Sequence, residues 1–445
     1  MAIIRDAWSE FDDHRPYQPP ISEIVRELLA EPLPESGRPP LQVLEEARTV
    51  LDQSLAQPRP RWFAFVGSSG LEAGVLADAL AATFDINLAS WAEAASELED
   101  VALRFVAEFV GLKWHCGAFT SGGSVSNLSA LAAARERALP GSRAAGTGGL
   151  RAALYCSLDA HHSIVRAAEV LGLGSAQVRT IPVDEDRRMI PDALDEAIAR
   201  DRKLGIIPVA VVATAGTTLT GAVDPIADVA EVARRHGAWL HVDGAYGLPA
   251  AALPSMQNVF AGLNQADSIT VDAHKWLYLP KACGLVLVRD PDSLTAAFGH
   301  EESYFPHVET STHSADRTLE YSRPFRALKV WLAFRLHGAS AFRAAIERNL
   351  GHARLLWSLV RDAADLEAYR PPQLSVVPFR PRVADVDRHT VRLAQALRVD
   401  GRVYVAHASI DGAQFLRPCF VNFRTTDEDV EALLSIVREV SAKVR

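Results

Sequence analysis

Cysteine is scarce, with four in 445 residues. Cys116, Cys156, Cys283 and Cys419 lie far apart, with no CxxC pair and no histidine at ligand spacing. That excludes a disulfide framework and a cysteine-based zinc site, predicts no metal, and points to reduced thiols in a cytoplasmic protein. Basic residues are in the minority, 46 against 55 acidic, for a net charge of −9. This is the wrong sign for nucleic acid or an anionic membrane as main partner. No apolar run approaches the roughly 20 residues that span a bilayer. The opening MAIIRDAWSE lacks the basic-then-apolar layout of a signal peptide. Internal repeats and low-complexity tracts are missing. The glycines of 140–150, PGSRAAGTGGL, lack the strand–turn–helix context of a dinucleotide fingerprint, so this stretch reads as a surface loop.

What remains is an apolar chain, 49% hydrophobic, able to bury a large core. Residues 1–60 are proline-rich around two short helical patterns, near 21–30 and 41–56, and have too little core of their own; they predict an arm lying on another surface. Two helices are expected between 71 and 111. From about 115 to 290 short apolar runs alternate with helical stretches, the pattern of a mostly parallel sheet in an α/β domain. The clearest strands are 152–156, 208–213, 238–242, 267–271 and 283–288, solidly apolar as strands buried on both faces should be. Residues 300–322 are polar and aperiodic, as in a mobile loop, and a long helix follows from about 325. Asp411-Gly412 between 402–409 and 414–421 is a two-residue hairpin signal. The division is therefore 1–70 as an arm, 71–335 as a large α/β domain and 336–445 as a small α+β domain.

Chemistry concentrates where the strands end, the place where open α/β sheets bind ligands. Ser268–Leu277 reads SITVDAHKWL, and a lysine there, Lys275, is poorly suited to burial unless it has a covalent task. Alone, it could equally reach solvent past Trp276. TSGGSVSN, residues 120–127, opens a helix, so Gly123 and Ser124 could cup an anion, or merely begin that helix. Asp243, ending WLHVD, needs a partner to stay ionised; a ring nitrogen would serve, as would a structural salt bridge. His161, in LDAHHS, could stack on a flat ring, with His162 a competitor, and Thr214 in ATAGTT could touch a ligand edge or simply form a turn. An anion cup, an acid for a ring nitrogen, a stacking imidazole and an amine for an aldehyde are together what pyridoxal 5′-phosphate (PLP) requires.

The motifs TSGGSVSN, DAHHS, ATAGTT, HVDGAYG and DAHKW, with resemblance extending from about Phe63 to TTDED, resemble those of the group II PLP-dependent amino acid decarboxylases. The resemblance implies fold type I, an aminotransferase-like large domain and a homodimer in which 1–70 is the dimerisation arm. It implies that Lys275 bonds the cofactor aldehyde, Asp243 pairs with the pyridine nitrogen, His161 stacks and Gly123 and Ser124 hold the phosphate. Thr214 and Ala245 would line the ring, with Asp272 and His274 near the phosphate and the amine. Family members often carry asparagine where this chain has Asp272. Tyr304 falls where the family has a mobile-loop tyrosine that returns a proton. Arg326 matches a recurring segment without an assigned ligand.

The implied reaction is decarboxylation of an L-amino acid to its amine. The stretch RWFAFVGSS, 61–69, corresponds to the side-chain pocket; Phe65 and Ser68 would meet the substrate, favouring an aromatic side chain, unless these aromatics are a core stripe. The alternatives are an oxidative aldehyde synthase, an aminotransferase gripping the α-carboxylate with Arg417 or Arg424, and a silent PLP-binding protein. Retention of His161 and Tyr304 weighs against the aldehyde synthase.

Overall fold

Valine, isoleucine, leucine and alanine runs bounded by glycine or acidic residues form the strands of the larger of two compact units. The computed structural model describes residues 2–11, 21–89, 92–300 and 314–444. The larger unit comprises Gly70–Arg348 with Pro372–Leu374, and the smaller one Met1–Ser69, Asn349–Pro371 and Ser375–Arg445.

The larger unit is built on seven strands: β1 (Cys116–Thr120), β2 (Ala152–Ser157), β3 (Val178–Ile181), β4 (Ile207–Thr214), β5 (Trp239–Asp243), β6 (Ser268–Asp272) and β7 (Gly284–Val288). Their order is β1-β7-β6-β5-β4-β2-β3. All neighbours pair in parallel except those involving β7, which runs against both β1 and β6. Six strands therefore point their C-terminal ends the same way. Helix Gly123–Ala138 lies on this sheet and presents Ala130, Leu131, Ala132, Ala133 and Ala134, all buried. Small side chains let it approach closely, and its core joins Leu154, Val212, Trp239 and Val286. A fully buried leucine or valine here contributes about 1.5–3 kcal/mol, and an alanine methyl roughly 0.8 kcal/mol.

In the smaller unit, helices Glu23–Leu29 and Pro40–Asp52 stand where the proline-bounded patterns predicted them. Here too is a four-stranded antiparallel sheet of β8 (Leu366–Ala368), β9 (Phe379–Pro381), β10 (His407–Ile410) and β11 (Ala413–Leu416). Ile410 pairs with Ala413 across Asp411-Gly412, both at positive φ, which is the two-residue turn the sequence announced. Phe63, Phe379, Leu416 and Phe420 centre its core. The helix expected from 325 runs Ala327–Arg361 but breaks at Gly338, whose φ of 73° is non-helical. Among the described residues no helix is long and apolar enough to cross a membrane, no metal-ligating cluster occurs, and all four cysteines are free.

Candidate active site

Strand ends define one cavity of about 340 Å³ in the larger unit. After β1 the chain turns through Gly122 into the helix that starts at Gly123, and no side chain caps that helix start. The Val125 and Ser126 amides donate to the Gly122 carbonyl oxygen, which leaves those of Gly123 and Ser124 to a ligand at the positive end of the helix dipole. Gly123 and Ser124 line the cavity from this side. His161, following β2, and Thr214, ending β4, line it from another, and Asp243 and Ala245, at the end of β5, from a third. Asp272 ends β6, and His274 and Lys275 follow it into the same space. All nine residues read as cofactor-binding from the sequence therefore share one lining.

Lys275 sits in a four-residue helix, Ala273–Trp276, whose other three members are buried. Its side chain retains 24% exposure, and Nζ lies 3.0 Å from Asp272 Oδ2. Trp276 is turned into the core, stacked on Tyr246 at 5.1 Å. His274 rests Nδ1 3.1 Å from the Cys283 carbonyl oxygen, with Nε2 3.7 Å from Asp272. Burial holds its pKa below the usual histidine range, against the pull of Asp272.

Asp243 is buried, and Asn127 Nδ2 donates to its Oδ2 at 2.8 Å while the Ala245 N–H donates to Oδ1 at 3.2 Å. Among the described residues no cation stands within ion-pair distance of it, so its charge is held only by neutral donors. His161 is exposed on the cavity side, its Nδ1 accepting the Ser163 N–H at 3.2 Å. Desolvation lowers its pKa, which Asp243 opposes and Lys275 reinforces.

The cradle is tight where backbone must approach a ligand. A Cβ on Gly123 would stand 3.0 Å from both Ala245 Cβ and Asp272 Oδ2, and one on Gly284 would reach 2.5 Å from Gly122 Cα. Two buried polar atoms of the lining, Thr214 Oγ1 and Asp272 Oδ1, have no hydrogen-bond partner. Buried groups without partners are rare, and here they face a ligand-sized space.

Phe65 and Ser68 belong to the smaller unit; Phe65 is exposed at φ +60°, and Ser68 is buried with its N–H on Gln57 Oε1 at 3.1 Å. Tyr304, with most of the 300–322 stretch, lies outside the described residues. Arg326 makes a two-bond ion pair with Glu320, at 2.6 and 2.9 Å. Arg417 and Arg424 donate to the backbone oxygens of Phe65 and Ser69 within the smaller unit. Sequence reasoning passed over Asn127, Ser163 and His241, all buried polar residues within the quoted motifs. Their signal was polarity at positions whose neighbours are core.

Residues 23–382 match the family described as the pyridoxal-dependent decarboxylase conserved domain. An aromatic-L-amino-acid decarboxylase of Bacillus atrophaeus is 33% identical over 95% of this chain and 90% of its own. A phenylacetaldehyde synthase of Arabidopsis thaliana is 29% identical, over 93% and 89%. The crystal structure of Oryza sativa TDC with PLP and tryptamine superposes with a TM-score of 0.94 at 28% identity, covering 99% of this chain and 96% of that one.

The lining suits PLP on its own chemistry. An uncapped helix start accepts a phosphate, a buried carboxylate with no counter-cation among the described residues accepts a ring N–H, and a reachable amine accepts an aldehyde. Cavity, fold type I sheet and family match agree: this chain belongs to the pyridoxal-dependent decarboxylases and is a PLP-dependent amino acid decarboxylase.

Proposed function

We propose that the substrate is an aromatic L-amino acid, released as its amine and carbon dioxide, and that the lining residues divide the work as follows. When bound, PLP would supply an electron-poor ring, a sink for the electron pair of the Cα–carboxylate bond. Lys275 bonds the cofactor aldehyde, with Asp272 orienting its amine at 3.0 Å. The Gly123 and Ser124 amides hold the phosphate, with the helix dipole in support. Asp243 keeps a proton on the ring nitrogen. His161 would lie toward the ring, Thr214 and Ala245 would hold the cofactor from the same lining, and His274 stands beside Asp272. Tyr304 returns a proton to Cα, and Phe65 and Ser68 meet the side chain. The observation that carries this reading is the shared cavity of Lys275 and an Asp243 that lacks any cation of its own among the described residues.

The aromatic preference is supported by the name of the Bacillus relative and the tryptamine in the solved structure. One residue favours an acidic side chain instead. Lys281 is exposed, without an ion-pair partner among the described residues, and close enough to Lys275 and Asp272 for both to act on its charge. Partial burial and Lys275 lower its pKa while Asp272 raises it.

We further infer a homodimer in a reducing cytoplasm. The arm helices expose Ile24, Leu29, Leu41, Leu44 and Leu51, an apolar set that suits a second subunit; the free thiols suit the compartment.

The test is carbon dioxide, amine and peroxide release from the twenty amino acids, with borohydride reduction of the PLP-loaded enzyme. Aromatic substrates should give amine without peroxide, and the reduced adduct should map to Lys275 and vanish in Lys275→Ala. Peroxide and aldehyde in each turnover would assign the synthase reaction. Acidic substrates lost in Lys281→Met would assign the second reading. An adduct on another residue would overturn the site.

A further inference from the structure

A chain of hydrogen bonds runs from the core behind the cavity into its lining, where Asn127, Ser163, His161 and Asp243 stand, and its direction can be read from one end to the other. The Trp239 indole, a donor only, gives its N–H to Ser268 Oγ at 2.7 Å. Ser268 then has one proton to give, and His241 Nδ1 lies 2.8 Å away. Burial pushes the His241 pKa down to about 4, so its ring is neutral and its single proton sits on Nε2. That N–H meets Asn127 Oδ1 at 3.0 Å, with Thr270 Oγ1 a longer neighbour at 3.4 Å. With its oxygen so engaged, Asn127 turns its two N–H groups to Asp243 Oδ2 at 2.8 Å and Ser163 Oγ at 2.9 Å. Ser163 accepts that bond, and its own proton goes to His161 Nδ1 at 2.8 Å. Flipping the Asn127 amide would set an oxygen against the Asp243 carboxylate and N–H against N–H at His241. Both contacts are repulsive, so one orientation survives.

We propose that Asn127 is a positioning residue that fixes the Asp243 carboxylate and the His161 ring through one amide, itself held in orientation by His241, Ser268 and Trp239. The inference rests on the reading of Asp243 and His161 given above. Its physical content is that an uncharged donor aims a buried carboxylate without neutralising it. A lysine or arginine in that place would hold the acid equally still but would take up the charge meant for the cofactor ring. The same amide sets the tautomer of His161. Two donors, the Ser163 hydroxyl and N–H, converge on Nδ1, so the His161 proton is on Nε2. A fully satisfied buried network of this kind rigidifies its members, and a half-satisfied one is costly.

The experiment uses the full-length chain. PLP affinity is measured by titration for wild type, Asn127→Ala, Asn127→Asp and Asp243→Ala, alongside thermal stability. Histidine side-chain 15N–1H spectra of the PLP-loaded wild type report the tautomers. Loss of a hydrogen bond to a charged acceptor predicts that Asn127→Ala binds PLP about tenfold to a hundredfold more weakly. Asn127→Asp keeps the shape but sets carboxylate against carboxylate. It should bind more weakly still at pH 8, with the deficit shrinking as the pH falls and the pair shares a proton. His241 and His161 should both carry Nε2–H. A His241 proton on Nδ1 would reverse the chain and overturn the inference without any variant. PLP binding by Asn127→Ala within twofold of wild type, with Asp243→Ala impaired, would overturn the positioning role alone. Unchanged binding by Asp243→Ala would instead overturn the reading of Asp243.

Discussion

Gly123→Ala sets two known effects against each other at the helix start. Alanine is favoured over glycine inside a helix by roughly 0.5–1 kcal/mol, which by itself would stabilise the protein. The added Cβ, however, would sit 3.0 Å from Ala245 Cβ and 3.0 Å from Asp272 Oδ2, where relaxed carbon contacts lie near 3.5–4.0 Å. Both neighbours must retreat by a few tenths of an ångström, and overpacking of this kind costs about 1–3 kcal/mol. Asp272 cannot retreat freely, because the same oxygen holds Lys275 Nζ at 3.0 Å. Crowding therefore wins, and it falls on the cofactor side. We expect the unliganded protein to melt within a few degrees of wild type, while PLP affinity drops about tenfold, or roughly 1.4 kcal/mol. Fluorescence titration and thermal scans with and without PLP measure both quantities. Gly351→Ala is the control: nothing lies within 4 Å of its added Cβ, so it should leave PLP binding unchanged. If Gly123→Ala binds PLP within twofold of wild type, the close approach has no functional weight and the reasoning is wrong.

Two further outcomes test the frame around the site. Glu99 and Arg323 are buried and joined by bonds of 2.6 and 2.7 Å. Glu99→Gln should cost about 3–5 kcal/mol by leaving the guanidinium without its counter-charge, whereas an apolar double replacement should recover most of that; a cost below 1 kcal/mol by denaturant titration would contradict it. His241 gives a pH signature. The unfolded chain protonates it below about 6.5, but the folded chain only near 4. Protons are thus bound more by the unfolded state in that window, and stability falls as pH falls, by roughly 3 kcal/mol in all. The stability of His241→Gln should decline less steeply between pH 6.5 and 4.5, and equal slopes would refute this.

The parallel strands were legible because residues buried on both faces leave apolar runs whose ends the acids and glycines mark; β2, β4, β5, β6 and β7 fall within a residue or so of their expected places. β1 and β3 were not. Cys-Gly-Ala-Phe-Thr has Phe119 as its one large apolar side chain and lacks the aliphatic run of the other strands, and Val178–Ile181 is a four-residue edge strand only partly buried. The break at Gly338 was hidden by apolar residues that continue the helical spacing on both sides. The cavity residues could be read because each ends a strand or opens a helix. Asn127, Ser163 and His241 escaped because their role depends on which polar atoms meet across strands. Residues 127 and 241 are brought within 3.0 Å of each other by the fold alone.

The four-residue helix that carries Lys275 has a consequence for how this loop can change. Successive residues there are rotated by about 100°, and of the four His274 and Lys275 line the cavity while Ala273 and Trp276 are turned into the core. Deleting a single residue between Asp272 and Lys275 would move the lysine into the place of His274, beside the Cys283 carbonyl, and bring the indole of Trp276 round to the place of Lys275. Substitutions along this turn can be gradual in effect, but a change in its length is all or nothing. Variation in loop length should therefore accumulate elsewhere, in connections such as 140–150 whose rotational phase is not tied to the reacting atom.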